Sequence, residues 1–488
     1  MLRLKLRIHY RRFVLHRFPH ASEVLLSTDS SVAAKKDKVK KKMKVIIPTT
    51  SLVEQIVGRQ KRTDGQSYRL MTYVVQQPVA DGVLLYNTLT CSLVLLTPDE
   101  AADITAQQEL IDRWFLVPQE HDDQKLCRQV RQMAALLKPP AKAITGYTIL
   151  TTTGCNARCF YCYEKGTKPV TMTAETADKV VRYIVKHRGD EKVQIRWFGG
   201  EPLVNAKVID QICTELREQG VPFRSTMISN GYLFDADKVQ RARDLWQLQQ
   251  VQITLDGTEQ TYNRVKAYVH QGVNAFERVL QNIAMLTAAG IRVIIRLNVD
   301  KHNIGEMTEL VQLLHQRFGT NEHLSIYSHE LFGERTPEDD AELFALQMQL
   351  AQQIAACGYK NHKQGLQKDI KLNHCMADGD GGVVIAPDGN LSKCEHFIDS
   401  NFFGHIDSEE HDRAILHKFK ERRADIDACA TCPYYPQCIR LTMCDPEPTI
   451  CTPGNQQYRL STMRETMKYE YERYLHKNDK EQDDETEI

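Results

Sequence analysis

Three cysteines, Cys155, Cys159 and Cys162, occupy the run Cys-Asn-Ala-Arg-Cys-Phe-Tyr-Cys-Tyr-Glu with the spacing C-x3-C-x2-C. Iron–sulfur cubanes are ordinarily held by four thiolates. A loop that supplies three leaves one iron open to a small ligand. Structural zinc is the competing use of clustered thiols, but zinc sites pair two close knuckles or add histidine. No second knuckle lies near this loop. Some forty residues on, Gly199-Gly200-Glu201-Pro202 offers two glycines that permit close backbone approach and a carboxylate that can pair with an ammonium group. Seven more cysteines follow, Cys375, Cys394, Cys429, Cys432, Cys438, Cys444 and Cys451. They run C-x13-G-x4-C, a gap, C-x2-C-x5-C-x5-C, and a last cysteine. The C-x2-C pair suits zinc, but seven cysteines without a paired histidine suit it less.

Taken together these motifs resemble the radical S-adenosylmethionine (SAM) enzymes. The resemblance implies a [4Fe–4S] cluster on Cys155, Cys159 and Cys162, with SAM on the open iron and cleavage of SAM to a 5′-deoxyadenosyl radical. Tyr161 is the aromatic residue that this family places before the third cysteine. By family position, Gly199, Gly200 and Glu201 receive the SAM amino group, and Ser229 and Thr254 are further SAM contacts. Lys266 falls where related maturases usually carry an arginine near the SAM carboxylate. Lysine lacks the bidentate fork of arginine, and a surface lysine is the alternative. Arg296 and Asn298 are expected to face the same mouth, or to form a buried structural pair.

The second cysteine set resembles the SPASM domain, which binds two auxiliary [4Fe–4S] clusters. Carried over by position, Cys429, Cys432, Cys438 and Cys451 hold one cluster, and Cys375, Cys394 and Cys444 hold the other. The fourth site of the latter is open or filled by another group. The second x5 departs from the family's usual x3. Glu395, next to Cys394, falls where sulfatase-maturing relatives are proposed to carry a catalytic base; an ordinary polar residue is the alternative. Cys91, Cys127, Cys213 and Cys357 lie in apolar or helical contexts and read as core residues.

The rest of the chain must position these groups. Its 488 residues exceed one ordinary core, so two or three domains are expected. Lys plus Arg and Asp plus Glu are both 63, and no apolar run reaches transmembrane length, which argues against a general nucleic-acid or membrane binder. With no signal peptide, the clustered cysteines among the fourteen read as metal ligands in a reducing, cytoplasmic compartment. Residues 1–42 carry twelve Lys and Arg against three acidic residues. They read as an overextended start before Met43 or as a disordered or targeting arm. Residues 45–135 form a small α+β segment, with strands over 68–75 and 83–86 and a turn at Asn87-Thr88. It resembles the peptide-recognition segment of radical SAM peptide maturases; a capping extension is the alternative.

From 146 to 357 strands alternate with helices. Strands are expected at 147–150, 193–198, 223–228, 251–255, 293–299 and 324–327, and helices at 174–187, 236–248, 276–289 and 340–356. Six such units predict parallel strands, too few to close an eight-fold barrel. The expected class is α/β: a partial (β/α)6 radical SAM barrel, an N-terminal α+β segment, and a SPASM domain over 370–455. A helix over 458–476 and a disordered tail complete it. The expected function is a radical SAM enzyme acting on a ribosomally made precursor peptide or protein, forming thioether or carbon–carbon crosslinks. An anaerobic sulfatase maturase is the alternative, and a non-catalytic metal scaffold the alternative of another class. A flavodoxin or ferredoxin is the expected electron donor.

Overall fold

The computed structural model describes residues 43–269, 274–331, 336–359, 365–397, 399–444 and 451–486. The basic arm over 1–42 lies outside the described residues. In the N-terminal part, β1 (Lys44–Ile47) is followed by helix α1 (Ser51–Val57), β2 (Tyr68–Leu70), β3 (Val74–Val79), β4 (Gly82–Asn87) and β5 (Ser92–Leu96). Then come β6 (Leu116–Pro118) and α2 (Asp123–Leu137). The expected single strand over 68–75 is two strands in two sheets. β2 pairs with β6, while β3, β4, β5 and β1 form an antiparallel sheet in the order β1-β5-β4-β3. The break lies at Thr72, whose N–H donates to the Asp123 carboxylate at 2.7 Å, a group that also takes Arg69 at 2.9 Å.

The next elements alternate: β7 (Gly146–Leu150), α3 (Ala174–His187), β8 (Val193–Phe198), α4 (Ala206–Glu218), β9 (Phe223–Ser229), α5 (Ala236–Asp244), β10 (Leu248–Leu255), α6 (Glu259–Lys266), α7 (Ala275–Ala288), β11 (Arg292–Val299), α8 (Met307–Phe318) and β12 (Leu324–Glu330). The helices begin at caps legible in the sequence. Thr173, Asp235 and Asn274 each accept the backbone N–H three residues on. The helix expected over 236–248 stops at Asp244, because Gln247 takes a left-handed conformation at φ 51° and Leu248 opens β10.

The six strands β7 to β12 are parallel and adjacent in chain order. One residue in two along them, such as Ile195, Trp197, Ile253 and Leu297, packs under the helices, against Val180, Ile212 and Ile283. The sheet does not end at β7. After α9 (Pro337–Ala356), β13 (Gly382–Ile385) pairs parallel to β7, and β14 (Asn390–Ser392) and β15 (Gly404–His405) continue antiparallel, giving nine strands. That the cysteine-rich region extends the sheet was not expected from its pattern.

The last helix, α10, runs Pro453–Thr486, starting earlier and ending later than the expected 458–476. It continues through most of the tail expected to be disordered. Its Met463, Met467 and Tyr471 cover one face of the N-terminal sheet, meeting Leu84, Tyr86 and Leu93. The opposite face, Leu85, Val94 and Leu96, packs on Leu110, Ile111 and Phe115. A third cluster joins Val53, Tyr73 and Val130 to Ile370 and Tyr435, and the rings of Tyr73 and Tyr435 stack at 6.0 Å. The N-terminal strands thus share their cores with the C-terminal region, and Met43–Ile488 form one unit. Met467 is fully buried between helix and sheet. Met467→Ala is expected to lower unfolding stability by ~2–5 kcal/mol, read as a lower urea midpoint. An unchanged midpoint would show that the helix does not hold the sheet.

Candidate functional site

Apart from Arg296 and the core residue Cys213, the groups singled out between residues 155 and 298 meet at the carboxyl ends of β7 to β11. Beyond β7, Thr151 to Thr153 lead into the cysteine loop, and Gly199 and Gly200 lead out of β8 directly against it. A Cβ on Gly199 would stand 2.1 Å from the Thr152 carbonyl oxygen, and one on Gly200 2.5 Å from that of Gly154. Gly199 also has φ +127°. The glycines are therefore required for the strand end to meet the loop; their close approach is to protein backbone, not only to a ligand.

Glu201 is fully buried. Its carboxylate accepts the Ser229 hydroxyl at 2.9 Å and the backbone N–H groups of Asn230 at 2.8 Å and Leu203 at 3.2 Å. Burial nevertheless raises its carboxyl to about 7, against the pull of those donors. The carboxylate expected to meet an ammonium group is thus engaged by protein donors. Asn230 continues the network to the loop, donating to Asn156 Oδ1 at 2.7 Å.

A second network holds the other side of the loop. Tyr161 donates its hydroxyl to Asp256 Oδ1 at 2.7 Å, and Lys266 Nζ lies 3.0 Å from Asp256 Oδ2 and 2.6 Å from Thr254 Oγ1. Asn298 donates to Asp256 at 3.0 Å and to Tyr161 at 3.1 Å. Lys266 is 2% exposed, which excludes the surface-lysine alternative. Burial opposes its charge, but Asp256 and the ring oxygens hold its pKa well above the ordinary lysine value. The Lys266 carbonyl also accepts the Arg158 N–H of the cysteine loop at 2.8 Å. Asp256 was missed in the sequence, although it sits in the Thr-Leu-Asp-Gly run that ends β10. Arg296 does not join Asn298 in this network; its Nε is buried without a hydrogen bond.

The three loop thiols influence one another. Burial pushes Cys155 up to about 12, and the negative charge of Glu201, Cys159 and Cys162 adds to the shift. A thiol so placed ionises only with a positive partner. Cys159 and Cys162, of the same loop, are the cysteines that act on Cys155 among its leading influences. Three thiols on one loop are the donor set of a cubane with one open iron. Glu164, just past the loop, is also raised to about 7 by burial, and its Oε2 has no hydrogen bond. Its only sequence signal was proximity to Cys162.

Several C-terminal cysteines influence one another, and Cys438 and Cys375 both act on Lys371. Cys394 is pushed up to about 12 by burial, with Glu395, Cys375 and Cys444 adding negative charge. Cys432 is raised by burial and by Cys429 and Cys451, and the Arg440 guanidinium lies 3.9 Å from Cys429 Sγ and 4.0 Å from Cys451 Sγ. Cys438 acts on Tyr434, as Cys432 does. The turn bearing Cys438 is anchored by Arg131 of α2, 2.7 to 2.8 Å from the carbonyls of Tyr435, Pro436 and Cys438. Glu395 meets the first site through its backbone: its carbonyl accepts the Tyr163 hydroxyl at 3.3 Å, and Tyr163 stacks on His396 at 4.5 Å. No cysteine forms a disulfide; Cys91, Cys127 and Cys213 are buried as expected, and Cys357 is partly buried.

Residues 149–314 match the Radical SAM superfamily. The chain carries a radical SAM domain. It is 24% identical over 166 residues to the Fe-coproporphyrin III synthase of Methanosarcina barkeri, covering 34% of this chain and 39% of that protein. It is 21% identical over 253 residues to the radical SAM cyclopropyl synthase TigE of Paramaledivibacter caminithermalis, covering 48% and 50%. The chain thus spans half or less of the length of these curated relatives. Among solved structures it is similar to native anSMEcpe with bound AdoMet and Cp18Cys peptide. That likeness has a TM-score of 0.50 at 14% identity, covers 68% of this chain and 98% of that one, and concerns the fold.

Two outcomes follow for this site. Lys266→Met leaves Asp256 buried and unpaired, and is expected to cost ~3–5 kcal/mol. Adding Asp256→Asn should recover part of that loss, so a double-mutant cycle with no coupling would overturn the pairing. Glu201 gives the second. Its folded pKa of about 7 lies above its ordinary 4.5, so its contribution is full below 4.5 and is lost as pH rises through 7. At ~1.4 kcal/mol per pH unit the loss approaches ~3 kcal/mol. Denaturation from pH 4.5 to 8 should show this slope in the wild type and not in Glu201→Gln; parallel curves would refute it.

Proposed function

We propose that this radical SAM enzyme modifies a peptide or protein substrate. The observation that carries the reading is the convergence of the three-thiol loop with the Glu201 and Asp256–Lys266 networks at one end of the parallel sheet. Cys155, Cys159 and Cys162 would hold the first cluster. Tyr161, Gly199, Gly200, Glu201, Ser229, Thr254 and Lys266 surround the SAM position, Lys266 and Thr254 offering a cation and a hydroxyl side by side. When bound, cluster and SAM supply a 5′-deoxyadenosyl radical able to abstract a substrate hydrogen. The six adjacent parallel strands, unclosed by a β7–β12 pairing, support the partial-barrel form.

In this reading the C-terminal region is a SPASM domain with two auxiliary [4Fe–4S] clusters, one on Cys429, Cys432, Cys438 and Cys451 and one on Cys375, Cys394 and Cys444. The influence of Cys375 and Cys444 on Cys394, and of Cys429 and Cys451 on Cys432, supports it. The N-terminal sheet has two edge strands, β1 and β3, on which an extended leader peptide can add through main-chain hydrogen bonds. The chemistry expected of a leader-guided substrate is a thioether or carbon–carbon crosslink. Electrons come from a flavodoxin- or ferredoxin-like donor in the cytoplasm. A second reading, formylglycine formation on a sulfatase, is favoured by one observation: Glu395, the candidate base, is held against the cysteine loop through Tyr163.

Replacing Cys155, Cys159 and Cys162 together by alanine is expected to abolish 5′-deoxyadenosine formation under reducing conditions. Iron bound by the C-terminal cysteines, read by absorbance and iron content, should be retained. Continued SAM cleavage by the triple variant would remove the loop from the mechanism.

A further inference from the structure

Parallel sheets buried on both faces are built from near-continuous apolar runs, and the interior of a closed β/α barrel is filled by branched apolar side chains. The strands of this radical SAM domain are built otherwise. β8 reads Val-Gln-Ile-Arg-Trp-Phe and β9 reads Phe-Arg-Ser-Thr-Met-Ile-Ser. Their apolar members pack under the helices, so alternation sends the others to the opposite, inner face. The ladder register extends that face across the sheet. Arg196 pairs with Thr226, Thr226 with Gln250, and Gln250 with Arg292; Gln194 pairs with Arg224, and Thr254 with Arg296.

Four arginines therefore share the inner face, and no Asp or Glu occupies an inner-facing position on β7 to β12. Arg196, Arg224 and Arg292 are exposed, and among the described residues their side chains have no ion pair or hydrogen bond. No described side chain pairs with their charges, although the chain as a whole is neutral. A concave wall lined by one sign of charge concentrates ligands of the opposite sign, and the arginine fork fits carboxylates bidentately.

We propose that this inner face recognises an acidic stretch of the substrate peptide. The proposal rests on the peptide-modifying reading above and narrows it to a substrate class. Its geometry matches an extended chain. Arg196 and Arg292 share one register row three strand steps apart, about 14 Å at ~4.8 Å per step. Residues four apart on an extended peptide are separated by a similar ~13 Å. Charge complementarity favours carboxylates at that spacing. Nucleic acid is the other polyanion, but a strand-lined concavity suits an extended peptide, and among the described residues the inner-facing Phe198 and Tyr327 stand on β8 and β12, too far apart to form a row for stacking bases.

The test uses the full iron-loaded chain and fluorescein-labelled peptides of five Glu-Gly, Gln-Gly or Lys-Gly repeats, followed by anisotropy. The Glu peptide is expected to bind at least tenfold more tightly than the Gln peptide, with binding that weakens steeply with salt. The triple variant Arg196→Gln, Arg224→Gln, Arg292→Gln should lose that preference while its uncoupled 5′-deoxyadenosine formation and far-UV spectrum stay at wild-type levels. Equal binding of Glu and Gln peptides, or an unchanged preference in the triple variant, would overturn the proposal. So would a single-stranded oligouridylate that binds as tightly as the Glu peptide. 5′-Deoxyadenosine is read in the same samples. If the wild type makes none, the radical SAM reading fails on its own; if it forms normally without a Glu preference, only the acidic-substrate inference fails.

Discussion

Two glycines that leave no space for a Cβ determine where the cysteine loop can lie. At Gly199 and Gly200 the end of β8 presses on the backbone of Thr152 to Gly154, at distances a side chain would forbid. Everything else in the site builds on that contact. It brings Glu201 beneath the loop, where Ser229 and Asn230 close over it from the end of β9. On the far side, the loop is held by the Lys266 carbonyl and by Tyr161, whose hydroxyl enters the Asp256 ion pair. The loop is thus clamped between two buried polar networks, one centred on a carboxyl and one on an ion pair. Such networks are costly when half-satisfied and rigid when complete, which is what a loop presenting three thiols in a fixed spread requires.

The same clamp explains the electrostatics. Each loop thiol that ionises adds negative charge against the others, and Glu201 lies close enough to push Cys155 upward. Lys266 is the compensating cation, and it acts on Cys162, Tyr161 and Glu201 alike. A lysine where an arginine is usual makes sense in this setting. It is a compact charge that fits between Asp256 and Thr254, where a planar guanidinium would need a wider space.

The periodic parts of the fold were legible in the sequence. The strands of the parallel sheet alternate so regularly that β8 and the helix Ala174–His187 fall within the expected bounds. Local signals failed where tertiary contacts decide. The stretch 245–248 continues a helical pattern, yet Trp246 is claimed by Asp210 through its ring N–H at 2.7 Å, and the chain turns. The early start of α10 was legible but missed: Thr452 precedes Pro453, a cap followed by proline at the first helical position. The β13 extension and the shared N- and C-terminal cores could not be read, because they pair residues hundreds of positions apart. Of the site, the ligand types and spacings were visible. Which carboxylate pairs with which donor was not, since Asp256 and Asn230 acquire partners only on folding.

The packing of α10 on the N-terminal sheet also sets an order of events in time. A chain emerges from the ribosome N-terminus first, so β1 to β5 are made long before the helix that covers Leu84, Tyr86 and Leu93. Until synthesis passes Pro453, that face of these strands lacks the helix that covers it. The sheet can receive its helix only after synthesis has passed Pro453, and a chain that stops short of that point displays its incompleteness as an apolar surface.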